Sequence, residues 1–307
     1  MTTAPQTMSP IGPLPGGDAE HGVSLWLGAW RRLRRNPVAI LGALLVLAFV
    51  LVAIFAEALA PYAANSREWA TEVTLTSVPG PREGNLLGVD RYGSDLYSQL
   101  LYGARQSLII GVVSTLLGLT VGALLGVVAG GLGAKVDMAV MRVVDILLSI
   151  PSLLLAVSIV AVLGQNRYAV MIAIAAAQVP VFARLLRGTM LSQTKSDYVL
   201  AATSLGLRRR TIVMGHVLPN SLGPTIVQAT LNLSTAIIEV AALSFLGLGE
   251  SDPAVAEWGR MLVAAQDRFS SSPQLALWPG VAIAVSALGF TLLGEALREA
   301  LDPKGRR

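Results

Sequence analysis

From Ser107 to Gly131 the chain runs without one charged side chain, and that run dictates the solvent in which the protein folds. A helix needs about 20 mainly apolar residues to cross the hydrocarbon core of a bilayer. Six segments meet or approach that length: Val38 to Leu59, Ser107 to Gly131, Met138 to Leu163, Ala169 to Leu186, Pro224 to Leu248 and Leu277 to Leu297. Composition agrees. Over 307 residues, apolar types make up 53% and charged types 14%, with a mean hydropathy of +0.63, whereas ordinary soluble domains carry roughly 25% charged residues. The expected fold class is all-α, a polytopic membrane protein with six transmembrane helices. The fourth span carries the weakest signal, because only Ala169 to Ala183 is charge-free and Arg184 has to snorkel to the interface.

Lys and Arg stay on the cytoplasmic side, and an inside N-terminus leaves 16 of the 23 there. Both termini are then expected in the cytoplasm. A net charge of +4, scattered between apolar runs, excludes a nucleic-acid binder. The absence of cysteine removes disulfides, thiolate nucleophiles and Cys-ligated metals, and two histidines leave little for a metal site, so none is expected.

Residues 1–23, rich in Pro, Gly, Ser and Thr, lack the apolar core of a signal peptide and read as a disordered cytoplasmic tail. Residues 24–37 suit an interfacial basic helix: Trp26, Trp30 and Leu33 can share one face, flanked by Arg31, Arg32, Arg34 and Arg35. Residues 38–106 hold the first span and an outer loop, about Ala60 to Gln106, long enough for a small ordered subdomain. Residues 107–303 form a five-helix core with a cytoplasmic loop at 187–219, and 304–307 are a basic tail. Within the loop, helix-like runs lie around Leu200 to Leu207 and Thr211 to Leu218. Its length and charge suit a docking surface.

In the second span Ser114, Gly118, Gly122, Gly126 and Gly130 recur every four residues, placing small side chains on one helical face. Such a stripe serves packing within the subunit or against a second one. Pro151 and Pro180 each remove a helical hydrogen bond, freeing the carbonyls of Leu147 and Ala176, and kinks are expected there. Glu239 is the costliest side chain in any span, at about 2.5–3.5 kcal/mol near mid-bilayer, and must face protein or water. Ser149, Pro151, Pro180 and Glu239 are the candidates for pathway lining or helix packing. Asp145, three residues after Arg142, is placed to pair with it on one helix face.

No catalytic constellation stands out: there is no Gly-x-Ser-x-Gly elbow and no His-Glu-x-x-His. Gly130 to Lys135 lacks the spacing of a phosphate loop and follows a membrane helix instead of a strand. An energy source must therefore lie on another chain, or in proton coupling through Glu239.

Tyr198-Val-Leu-Ala-Ala202, Gly206-Leu207 and His216-Val-Leu-Pro219 resemble the coupling-loop signature of permeases of binding-protein-dependent ABC importers. Leu200 stands where that family usually has Glu. Leu87 to Asp95, Tyr102 to Leu108, Glu239 to Gly249, Glu257-Trp-Gly259, Trp278-Pro-Gly280 and Leu293 to Pro303 narrow the resemblance to the C-type permease of dipeptide and oligopeptide importers. The resemblance covers about Trp30 to Pro303. It implies a type I ABC importer permease-like fold in the bacterial cytoplasmic (inner) membrane. It also implies a homologous second permease as partner in a heterodimer, two ATP-binding subunits and an extracytoplasmic solute-binding protein. ATP and Mg would sit on the partner subunits, with no cofactor in this chain. Tyr198, Ala201, Ala202, Gly206, Leu207, His216, Leu218 and Pro219 would form the ATPase-coupling loop, seated in a cleft of an ATP-binding subunit. The solute would be a peptide or a related small molecule. The alternatives are a proton-coupled secondary transporter using Glu239 and an intramembrane enzyme. The missing nucleophile and metal set disfavour the enzyme, and the missing repeat of broken helices disfavours the carrier.

Overall fold

A computed structural model describes residues 25–74, 77–250, 252 and 255–301. The tails expected at 1–23 and 304–307 lie outside these residues. The basic helix is present as α1 (Leu25–Leu33). Asn36 then starts α2 (Pro37–Ile54): its Oδ1 accepts from the Val38 amide at 2.9 Å, and Pro37 has no N–H to leave unpaired. After a bend at Phe55 comes the short α3 (Ala56–Leu59).

The second long helix, α4 (Leu96–Leu132), begins three turns before the apolar run, within what the sequence reads as loop. Asp95 sets that start, its carboxylate accepting from the Ser98 amide and hydroxyl, each at 2.8 Å. The third span is not a single helix. It consists of α5 (Ala134–Ser149) and α6 (Ser152–Leu163), bent by 93° at Ile150–Pro151. The ring of Pro151 pushes the preceding residue out of the helical region, and Ile150 is extended at φ −93°, ψ 128°. Where a kink was expected the helix breaks, and the Leu147 carbonyl is taken up by the Ile150 amide at 3.3 Å. Pro180, by contrast, lies inside an unbroken α7 (Arg167–Gln193).

The segment expected to be cytoplasmic folds into α8 (Asp197–Ser204), α9 (Arg209–Ile212) and a π-helical turn, Val213–Val217, that leads into α10 (Leu218–Phe245). Then follow α11 (Trp258–Ala265) and α12 (Gln274–Leu301). Among the described residues five helical runs are long and apolar enough to cross a bilayer, and the bent α5–α6 pair makes up to six. Among the described residues the β-type pairings are two isolated bridges, Arg82 with Asn85 and Val89 with Asp95, in the loop between α3 and α4.

The span with the shortest charge-free stretch, α7, is the most interior of the long apolar helices: 72% of its apolar window is buried within the chain. Enclosure by protein lets its arginines find acids on neighbouring helices, so a short charge-free run does not weaken it as a span. The two arginines in its C-terminal half do not reach for water alone. Arg184 pairs with Asp145 and Arg187 with Asp137, both on α5. This corrects the expected Asp145–Arg142 pair: the carboxylate reaches across to the neighbouring helix.

The small-residue stripe of α4 lies along α7, which decides the open alternative in favour of packing within the subunit. A Cβ on Gly122 would stand 2.6 Å from both the Phe182 Cβ and the Val179 carbonyl, and one on Gly126 3.0 Å from the Ala183 carbonyl. The backbones touch because nothing larger intervenes. Toward the end of the bundle where α6 meets α7, Ile110, Val160, Ile174, Val240 and Leu243 close the core. Between α2, α10 and α12 the core is Phe49, Ile237, Phe290 and the Trp258 ring.

Candidate functional site

Between α7 and α10 the connecting segment, residues 194–217, forms a two-sided unit. Its inner side is apolar: Val199, Ala202, Ile212, Val213 and Val217 are buried against Leu186 and Met190 of α7. Its outer side is also apolar in part, and there Leu200, Leu205, Leu207 and Met214 stand exposed. Leu205 is 82% exposed. A leucine so placed at the tip of a loop has nothing to gain from water.

Local chemistry fixes that tip. At the end of α8, Gly206 adopts φ +78°, the left-handed conformation open to glycine without a Cβ penalty. The Leu207 amide donates to the Ala202 carbonyl at 3.2 Å and the Gly206 amide to the Thr203 carbonyl at 2.9 Å, the paired bonds of a Schellman stop. This termination ends the helix at Ser204, short of the Leu207 that apolar spacing suggests. Among the described residues, its two chain neighbours apart, no heavy atom lies within 4 Å of a Cβ built on Gly206. The glycine is needed for its backbone angle.

The π turn has a sequence cause as well. Pro219 lacks an N–H and its ring crowds the carbonyl four residues back, so the ladder widens just before it. The Leu218 amide donates to Val213, five residues earlier. Side chains supply further partners: Asn220 Nδ2 donates to the His216 carbonyl and Ser221 Oγ to the Val217 carbonyl, both at 2.7 Å. His216 Nδ1 is buried with no hydrogen-bond partner among the described residues.

The structure thus brings the sequence-derived loop residues onto one unit, with different exposures. Tyr198, Ala201, Gly206, Leu207 and Pro219 are exposed, Ala202 is buried, and His216 and Leu218 are half-buried. The Tyr198 hydroxyl donates to Gln193 Oε1 at 2.7 Å. Sequence reasoning missed Leu205 and Met214. An apolar residue next to a helix-stopping glycine was the available signal for the first, and a π turn placing Met214 outward left none for the second.

The pathway candidates are only partly assembled. Glu239 on α10 is 7% exposed and faces Ser152, the first residue of α6 after the Pro151 break. Its Oε2 is buried with no hydrogen-bond partner among the described residues. Ser149 is exposed and donates to its own helix at the Ile146 carbonyl, 2.7 Å away. Pro180 is buried on α7, two residues beyond Gln178, whose Nε2 donates to the Asn232 carbonyl of α10 at 3.3 Å.

On the outer side Glu257 is 1% exposed and accepts from the Ser244 hydroxyl at 2.7 Å. Burial pushes its carboxyl up to about 7, against the opposing pull of Ser244 and Arg260. Next to it the Trp258 indole donates to the Leu100 carbonyl at 2.9 Å, tying α11 to α4. Among the described residues no group of three His, Cys, Asp or Glu side chains gathers as metal ligands.

Known proteins match this chain over nearly its whole length. Residues 122–307 match the family described as binding-protein-dependent transport system inner membrane component, and residues 24–75 the N-terminal TM domain of oligopeptide transport permease C. The dipeptide transport system permease protein DppC of Alkalihalophilus pseudofirmus is 41% identical, over 94% of this chain and 93% of its own. The glutathione transport system permease protein GsiD of Pectobacterium atrosepticum is 38% identical over 91% of both chains. Its namesake from Escherichia coli is 40% identical over 91% of this chain and 90% of its own. Among solved structures, an inward-facing conformation of the MetNI methionine ABC transporter superposes with a TM-score of 0.55. It covers 66% of this chain and 96% of that one at 20% identity, a likeness of fold.

Proposed function

The chain belongs to the binding-protein-dependent transport system inner membrane component family, and from that premise we propose how its parts divide the work of an ATP-driven importer. It is a multi-pass permease subunit of an ABC importer of the inner membrane, and such permeases work with ATP-binding subunits, a further permease and a solute-binding protein. We assign it half of the transmembrane pathway, opposite a homologous permease, with two ATP-binding subunits below carrying ATP and Mg. Both termini then face the cytoplasm. The solute is a peptide or a related small molecule, the class named for the dipeptide and glutathione relatives. This chain moves and does not hydrolyse.

One observation carries the reading: an exposed apolar tip, Leu200, Leu205, Leu207 and Met214, is held on a buried apolar base continuous with α7. A surface of that kind suits a cleft in a partner protein, and its rigid base suits the passage of force into the spans. Closure of the ATP-binding subunits would press on this tip, move α7 and α10 together and open the pathway outward. Release would open it inward. Family membership does not favour the proton-coupled carrier.

Reconstituted vesicles supplied with ATP and no pH gradient decide between them. The importer accumulates solute under these conditions, and Glu239→Gln, which keeps size and removes the titratable group, retains substantial transport. Uptake that needs the gradient and ignores ATP would overturn the proposal.

A further inference from the structure

At the level where α2 begins, α1, α2 and the cytoplasmic end of α12 enclose an open groove of about 450 Å³, within the roughly 300–1,000 Å³ usual for small-molecule sites. Its walls are Trp30, Leu33, Ile40, Leu44, Leu297 and Leu301, and Arg34 stands at its edge. Trp30 is 59% exposed. Beside it lies a second cavity of about 360 Å³, lined by Arg31, Arg32, Arg35, Asn36 and Glu299, among others. Local chemistry holds the two together: Asn36 caps α2 through its Oδ1 and donates from Nδ2 to the Glu299 carboxylate at 3.4 Å.

The charge balance of this corner is one-sided. Among the described residues lining the two cavities, four guanidinium groups face one carboxylate, Glu299, a net +3. Arg31, Arg32, Arg34 and Arg35 are all exposed, and none of them forms an ion pair among the described residues. Arg184 and Arg187 of α7, by contrast, find acids on α5. Here a concave apolar slot at the depth of acyl chains ends in unpaired cations at the depth of headgroups, with an amphipathic tryptophan at the boundary. Exposed leucines alone would describe any lipid-facing surface. Concavity and the matched cluster of charge are what single out this place.

We propose that the groove is a binding site for one anionic phospholipid of the cytoplasmic leaflet, with an acyl chain along Trp30, Ile40, Leu44 and Leu297 and the phosphodiester held by Arg31, Arg34 and Arg35. Guanidinium forks match phosphate oxygens in a way that a zwitterionic headgroup, with its own ammonium, offsets. Basic clusters just cytoplasmic of a span attract anionic lipid generally; the groove makes the contact local. This inference needs α2 and α12 to cross the bilayer and does not depend on the transport reading.

The test is fluorescence quenching in the complex of this permease with its partner subunits, reconstituted in phosphatidylcholine vesicles. Phosphatidylglycerol or phosphatidylcholine brominated on the acyl chain is added at equal mole fraction, and the Trp30 contribution is the difference between wild type and Trp30→Phe. The expected result is preferential quenching by the brominated phosphatidylglycerol, about five-fold for each arginine engaged. The preference disappears in Arg31→Gln/Arg34→Gln/Arg35→Gln, persists in Arg31→Lys/Arg34→Lys/Arg35→Lys and persists in Arg142→Gln on α5. Unchanged recovery of partner subunits shows that the Gln variant is folded. Equal quenching by the two lipids, a preference surviving in the Gln variant, or its abolition by inorganic phosphate at buffer concentration each overturns the proposal.

Discussion

Arg187 of α7 and Asp137 of α5 meet as a two-pronged ion pair, Nη2 to Oδ2 at 2.7 Å with Nε and Oδ1 alongside. One turn earlier Arg184 reaches Asp145 on the same helix. Two rungs thus join the start of the bent α5–α6 pair to the central helix. Both partners of the Arg187 rung are less than a third exposed, so removing one leaves a charge poorly compensated, at a cost of about 1–3 kcal/mol. Asp137→Ala and Arg187→Ala should each lower the melting temperature of the purified complex, and the exchange Asp137→Arg/Arg187→Asp should recover part of the loss. An exchange no better than the single variants would mean that the rung contributes nothing.

The raised carboxyl of Glu257 makes stability depend on pH in a fixed direction. The folded protein favours the protonated form, so its contribution is complete below the ordinary value of 4.5 and is lost as pH rises through about 7. That window is worth about 3 kcal/mol. Asp90, also raised by burial, acts in the same direction. Thermal unfolding followed between about pH 5 and about pH 8 should show stability falling, with a shallower fall in Glu257→Gln.

Contact between α4 and α7 predicts a position-specific intolerance. Gly122→Val places side-chain atoms where the Phe182 Cβ and Val179 carbonyl already lie 2.6 Å from a Cβ, and overpacking of this kind costs about 1–3 kcal/mol. Membrane levels of the variant should drop on immunoblots. Gly188→Ala, with no atom within 4 Å of the new Cβ, should leave them unchanged.

At the loop tip the expected defect lies in coupling, not in insertion. Gly206→Val forces a β-branched residue to φ +78°, costing about 1–3 kcal/mol. The permease should reach near-normal levels, while ATP-binding subunits co-purify poorly and solute no longer stimulates ATP hydrolysis. Gly206→Asn, which tolerates the left-handed region, should be milder. Normal coupling in the Val variant would remove this tip from the mechanism.

The cysteine-free sequence allows a direct test of orientation. Ser192→Cys, exposed near the end of α7, should react with an impermeant maleimide only from the cytoplasmic side, and Ser77→Cys, exposed in the outer loop, only from outside. Labelling of position 192 from outside would refute the arrangement.

What could be read from the sequence depended on whether the deciding interaction is local. Glycine every fourth residue in α4 announced a close helix contact, because spacing on one helix is enough to define a stripe, although its partner was open. The Gly206 stop was legible for the same reason. Asp145 was misread because an i,i+3 rule sees only the helix that carries it, whereas Arg184 approaches from α7. The true start of α4 was hidden since its first three turns, Leu96 to Gln106, are too polar to register by hydropathy and are placed by the Asp95 cap. For α7 the span itself was legible, but not that Arg184 and Arg187 would pair with α5, because those partners come from another helix.

The length of α4 has a mechanical corollary. Its 37 residues make a rod about 55 Å long, against a hydrocarbon core of about 30 Å. At the outer end it is seated in the loop by Asp95 and Asn85. At the inner end its Val127 packs on the apolar base that carries Leu205. A swing of 10° about its midpoint moves both ends by about 5 Å in opposite senses, following from that length alone. A straight rod of that length would carry a tilt imposed at one end to the other as a displacement in the opposite sense.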